Sequence, residues 1–143
     1  MNSYTSHSAD ETVQLGRQLA GELRPGTIAL LRGDLGAGKT TLIKGIAEAF
    51  SAAAAEDVTS PTFTLIHEYR SPEITLYHID LYRIDTQREL DTLALDDLRD
   101  SKSILLIEWG EKFERFKREK SAEILIEHLG GDERRITFST IKT

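Results

Sequence analysis

Residues Gly33-Asp34-Leu35-Gly36-Ala37-Gly38-Lys39-Thr40 carry the spacing G-x-x-x-x-G-K-[ST]. Each residue type in that pattern answers a need of polyphosphate chemistry. The glycines let successive backbone N–H groups curl around a phosphate, and a helix starting directly afterwards adds partial positive charge. Lys39 is then placed to reach the β and γ phosphates, and the Thr40 hydroxyl to ligate Mg²⁺. A glycine-rich turn containing Lys-Thr by accident would match the same pattern, so context separates the two readings. Here a buried strand is expected immediately before the loop and a helix immediately after it. Guanine-selective relatives of this loop usually carry Asn/Thr-Lys-x-Asp and Asp-x-x-Gly elements, and neither occurs in the chain. ATP with Mg²⁺ is the expected ligand.

A metal-bound triphosphate also needs carboxylates near the carboxyl ends of strands, because ligands of open α/β sheets lie outside those ends. Two acids qualify. Glu108 closes the wholly apolar run Ile104-Leu105-Leu106-Ile107, so a charge at its end is aimed at a site, in the manner of a Walker-B acid. Asp80 follows Leu76-Tyr77-His78-Ile79 in the same way. The alternative for either is an acid meeting solvent at a strand end. Trp109, next to Glu108, is placed to shield the site, to offer a docking surface, or simply to sit as a partly buried edge aromatic. The four histidines show no His-x-x-x-His or similar spacing and read as strand or surface residues.

The elements that must carry these residues are legible from periodicity. Ser8 to Glu11 has capping-box spacing, and Leu15, Leu19 and Leu23 line one helical face that ends near Arg24-Pro25-Gly26. Ile28 to Leu31 and Ile104 to Ile107 are short, fully apolar runs, the mark of central strands buried on both faces. Leu42, Ile43, Ile46, Ala47 and Ala49 continue the phosphate-loop helix to about Phe50, and the alanine run 52–55 either extends it or forms a surface connection. Phe63 to Tyr69 and Ile74 to Asp80 alternate across Ser71-Pro72 as a hairpin, and Ala122 to His128 and Ile136 to Phe138 form another across Gly130-Gly131-Asp132. Gln87 to Arg99 reads as short helical turns, and Glu111 to Lys120 as a charged helix or lid. The sum is an α/β three-layer P-loop-like domain with a mixed parallel/antiparallel sheet, one domain over 1–143.

Bulk composition narrows the classes. Hydrophobic residues at 39% and charged residues at 29% are ordinary for a globular chain, and no run approaches a membrane span. The absence of cysteine leaves oxygen or imidazole to hold any metal, and oxygen suits Mg²⁺. A net charge of −6 disfavours direct binding to a phosphate backbone. The basic residues Arg115, Lys117, Arg118 and Lys120 are interleaved with Glu111, Glu114 and Glu119, the pattern of a solvated helix face. The polar start, Met1 to Asp10, lacks the features of a secretory signal, so a cytoplasmic location is expected.

Several strings together resemble the bacterial TsaE family, the ATPase of tRNA threonylcarbamoyladenosine modification. They are the phosphate loop extended through Thr41, Ser60-Pro61-Thr62-Phe63-Thr64-Leu65, Tyr77-His78-Ile79-Asp80-Leu81-Tyr82-Arg83 and Ile107-Glu108-Trp109. The resemblance is strong over about residues 10–111 and weak in the terminal hairpin. It implies an ATPase that joins TsaD and TsaB, with contact to tRNA indirect or weak. It further implies a nucleotide site of Thr12, near the adenine, and Gly33, Asp34, Leu35, Gly36, Ala37, Gly38, Lys39, Thr40 and Thr41. Thr40 and Glu108 would hold Mg²⁺, while Asp80 and Thr62, with Lys39, would serve hydrolysis or its coupling. Arg134 or Arg135 is placed to approach the nucleotide. Two other readings stay open: a small-molecule kinase whose 115–120 segment clamps phosphate, and a binding module switched by ATP.

Overall fold

A computed structural model of the chain describes residues 2–33, 38–51 and 66–140. Seven strands form one sheet: β1 (Asn2–Ser6), β2 (Ile28–Arg32), β3 (Ile66–Arg70), β4 (Thr75–Asp80), β5 (Ser103–Glu108), β6 (Ala122–Gly130) and β7 (Glu133–Thr140). Their order across the sheet is β1-β7-β6-β2-β5-β4-β3. The four inner strands β6, β2, β5 and β4 run parallel, and the hairpins β6–β7 and β3–β4 and the edge strand β1 are antiparallel. The helices are α1 (Ala9–Ala20), α2 (Lys39–Ala49), α3 (Gln87–Thr92) and α4 (Glu114–Glu119), with 3₁₀ turns at Leu95–Leu98 and Gly110–Lys112. The mixed sheet and three layers agree with the expectation from sequence.

Side chains alternate across a strand, so the central apolar runs supply two cores at once. Ala29, Leu31, Leu76, Ile104 and Leu106 pack under α1 and α2 against Leu15, Leu19, Leu42, Ile43 and Ile46. Ile28, Leu30, Ile79, Leu105 and Ile107 face the other way, onto Leu90, Leu95, Phe113 and Phe116. Phe113 and Phe116 anchor the segment expected as a charged helix or lid. Arg115 is ion-paired to Asp96 and Glu119, so the segment is a packed part of the outer layer.

The Ser8 cap forms, its hydroxyl accepting from the Glu11 amide at 3.1 Å. Helix α1 stops at Ala20, short of the expected end near Pro25, because the last residues tighten into i→i+3 turns: Glu22 N–H bonds Leu19 and Leu23 N–H bonds Ala20. Leu23 still reaches the core. Strand β1 was not foreseen, since Asn-Ser-Tyr-Thr-Ser offers no apolar alternation and its ladder depends entirely on β7.

The α1–α2 crossing determines where α2 and its first residue stand. At Gly45 an added Cβ would lie 1.8 Å from the Val13 carbonyl oxygen, and at Gly16 2.3 Å from that of Leu42. Alanine in a helix interior ordinarily gains about 1 kcal/mol over glycine. Here the clash is with backbone, which cannot rotate away, and overpacking of roughly 1–3 kcal/mol outweighs that gain. Gly45→Ala is therefore expected to lower the urea midpoint, where an exposed helical glycine would raise it.

Candidate active site at the carboxyl ends of the parallel strands

The parallel register brings the two sequence-identified acids side by side. Asp80 pairs with Glu108 across β4–β5, and Glu108 with Leu31 across β5–β2. The ladder continues one step past the strands, Leu81 N–H donating to the Glu108 carbonyl at 3.0 Å. Because His78, Asp80, Leu106 and Glu108 share the face covered by α2, both carboxylates point toward the start of that helix.

Helix α2 opens differently from α1 and α3. Ser8 and Thr86 cap those two helices with side-chain oxygens, and each has an acid in its first turn. The N-cap of α2 is Gly38 at φ 106°, a left-handed conformation that suits glycine, with no side-chain cap and no acid following. Its first-turn N–H groups and dipole are left for an anion. Thr40 and Thr41 are half-buried in this first turn.

Lys39, the first residue of α2, is 5% exposed. Its Nζ donates to the Gly33 carbonyl at 2.8 Å, stands 3.4 Å from Glu108 Oε1 and lies 4.8 Å from the centroid of the Trp109 ring. A buried ammonium is tolerable only with such compensation: a carboxylate, a carbonyl and an aromatic face. Trp109 holds φ 64°, strained for an aromatic residue, and its ring also packs on that of Tyr82 at 5.2 Å. Trp109 thus covers the Lys39 ammonium.

The second Glu108 oxygen, Oε2, accepts from His78 Nε2, and His78 is fully buried. Burial pushes the Glu108 carboxyl up, but the His78 hydrogen bond and the charges facing it outweigh this and hold it below its ordinary value of 4.5. Asp80 is displaced the other way, chiefly by burial and further by the charge of Glu108, against a Tyr82 amide that donates to its Oδ1 at 2.9 Å. Two adjacent acids are therefore displaced in opposite directions. Lys112 ties their segments together, its Nζ donating to the Leu81 and Tyr82 carbonyls at 3.1 and 3.0 Å.

Sequence reasoning missed His78 in this cluster, reading it as an ordinary strand residue. The available signal was its position two residues before Asp80 on one strand, hence on the same face. Thr12 stands apart from the cluster: its hydroxyl is 2.6 Å from Ser6 Oγ and donates to the Ser8 carbonyl, tying α1 to β1. Ser6 pairs with Arg134, whose Nε is 3.6 Å from where a Gly38 Cβ would stand, so β7 borders the start of α2 through Arg134. Asp34, Leu35, Gly36, Ala37, Thr62 and the alanine run 52–55 lie outside the described residues. Among the described residues no three His, Asp or Glu side chains gather as an all-protein metal cage.

The model of the TsaE family, described as threonylcarbamoyl adenosine biosynthesis protein TsaE, matches residues 6–136. The chain belongs to the TsaE family. A Bacillus subtilis (strain 168) relative named tRNA threonylcarbamoyladenosine biosynthesis protein TsaE is 39% identical over 132 residues, spanning 92% of this chain and 81% of the relative. A Rickettsia conorii relative of the same name is 34% identical over 137 residues, spanning 96% and 77%. The crystal structure of Bacillus subtilis YdiB superposes with a TM-score of 0.75 at 32% identity, covering 99% of this chain and 86% of that one. The family thus extends over both the acid-bearing strands and the terminal hairpin.

Removing the charge of Glu108 leaves the buried Lys39 ammonium with carbonyl and aromatic partners only. Glu108→Gln should destabilise the nucleotide-free protein by roughly 2 kcal/mol at neutral pH. A carboxyl held low when folded stabilises above pH 4.5 and loses that contribution as pH falls through its folded value. The stability gap between wild type and Glu108→Gln, measured by urea denaturation, should therefore narrow below pH 4.5. A gap independent of pH would locate the effect in packing.

Proposed function

We propose that this chain is a Mg²⁺-dependent, ATP-binding and hydrolysing subunit that supports threonylcarbamoyladenosine modification of tRNA, acting in the cytoplasm with TsaD and TsaB partners. The observation that carries the reading is the buried Lys39 at an uncapped helix start, facing a carboxylate at the end of the neighbouring strand. The names of the relatives supply the pathway. No described helix is long and apolar enough to cross a membrane.

The donor set fits the ligand. Mg²⁺ prefers hard oxygen ligands and few protein groups, keeping water and binding substrate phosphates, so Glu108 and Thr40 suffice without a cage. The metal, when bound with ATP, would neutralise charge on the phosphates. Lys39 would exchange the Gly33 carbonyl and Glu108 for the β and γ phosphates, which frees Oε1 of Glu108. Asp80, pushed toward greater basicity by burial, is the better of the two acids for orienting or deprotonating a water. Its Oδ1 is occupied by the Tyr82 amide. The kinase alternative loses support because Arg115, the leading residue of its clamp, is committed to Asp96 and Glu119.

The deciding assay measures phosphate release from ATP by the chain alone, with candidate partners, and with small-molecule acceptors. Partner-stimulated release of free phosphate supports the reading, and a phosphorylated acceptor overturns it. Lys39→Ala is expected to abolish ATP binding or turnover with the circular-dichroism spectrum retained. Near-normal affinity with full turnover would remove the phosphate-loop assignment.

The two acids separate in a second experiment. Glu108→Ala should raise the Mg²⁺ concentration needed for tight ATP binding, whereas Asp80→Ala should leave binding largely intact and cut single-turnover hydrolysis or its stimulation by partners. Loss of Mg²⁺-dependent binding in Asp80→Ala alone would exchange the two roles.

A further inference from the structure

His78 is a fully buried histidine in the middle of the catalytic face, and the proposed chemistry does not use it. Its ring has one polar contact among the described residues: Nε2 faces Glu108 Oε2, while Nδ1 is buried with no hydrogen-bond partner. An ionised carboxylate only accepts, so the proton of this bond resides on Nε2. The ring is fixed by its place in β4 between Tyr77 and Ile79, and by an edge-to-face contact with His67 at 6.4 Å.

The two oxygens of Glu108 therefore have different partners. Oε2 faces a fully buried ring on β4, and Oε1 faces the Lys39 ammonium at 3.4 Å. We infer that His78 is a positioning residue that retains one oxygen of Glu108, so that only the other exchanges Lys39 for the metal. Without that tether the carboxylate would be free to rotate, and could follow Lys39 or chelate through both oxygens. Outer partners of this kind typically govern metal affinity by 10–100-fold through ligand orientation alone.

The inference rests on the reading of Glu108 as a Mg²⁺ ligand, and two variants of the same histidine test it. The amide nitrogen of Gln stands near the position of imidazole Nε2, and that of Asn near Nδ1, so His78→Gln keeps a donor toward Glu108 and His78→Asn does not. ATP affinity is measured by calorimetry across a Mg²⁺ titration and again in excess EDTA. The expected result for His78→Asn is a 10–100-fold rise in the Mg²⁺ concentration at half-maximal affinity. The metal-free affinity should be unchanged in both variants, and His78→Gln should stay close to wild type. Equal Mg²⁺ midpoints in the two variants, whether normal or raised, would reduce His78 to a packing role and overturn the inference. Wild-type binding that ignores Mg²⁺ would instead remove the metal role of Glu108 itself.

Discussion

The buried chain Lys39–Glu108–His78 is the contact on which the rest of this structure turns. An ammonium and a carboxylate, each about 5% exposed, face one another at the end of an apolar sheet. Desolvating two such charges costs several kcal/mol apiece, and their attraction recovers that only when other groups complete the coordination. Here the Gly33 carbonyl, the Trp109 ring and the His78 imidazole do so. A pair of this kind contributes little net stability in comparison with an apolar core. It holds a cation and an anion together in a water-poor place at the carboxyl end of the sheet.

The central strands, the α1–α2 pair and the segment after Glu108 hold that arrangement in place. The parallel strands align Leu31, Asp80 and Glu108 in one row, and the apolar residues before them make the row rigid. The glycine crossing of α1 and α2 lets the two helices lie close over the sheet. On the far side of the sheet, Lys112 joins the turn after Asp80 to the turn after Glu108, and Phe113 and Phe116 seat that second turn in the outer core. Position is thus determined from both faces.

The opposite displacement of the two acids follows from the same geometry. Glu108 has a hydrogen-bonded imidazole and an ammonium within reach, and they overcome its burial. Asp80 has burial and the neighbouring Glu108 anion, which outweigh the Tyr82 amide and the charges of His78 and Lys39 and raise it. Neighbours in one register, the two acids are displaced in opposite directions. Composition could not distinguish them, because each is an acid at the end of an apolar strand.

Much of this protein is determined by its sequence alone. The glycine spacing ahead of α2, the Ser8 cap, the two apolar central strands, both hairpins and the acids Asp80 and Glu108 are local signals, set by glycine placement, by period and by the breaking of an apolar run. What only the tertiary structure decided involves residues far apart in the chain. His78 meets Glu108 thirty positions on because β4 and β5 pair in one particular register. Trp109 covers Lys39 through a left-handed turn, β1 exists because β7 offers it an edge, and the 111–120 segment is packed rather than lid-like because two phenylalanines reach the core. Periodicity reports which face of an element is apolar. It carries no information about which strand lies alongside, and so none about which polar side chains the register brings within hydrogen-bonding distance.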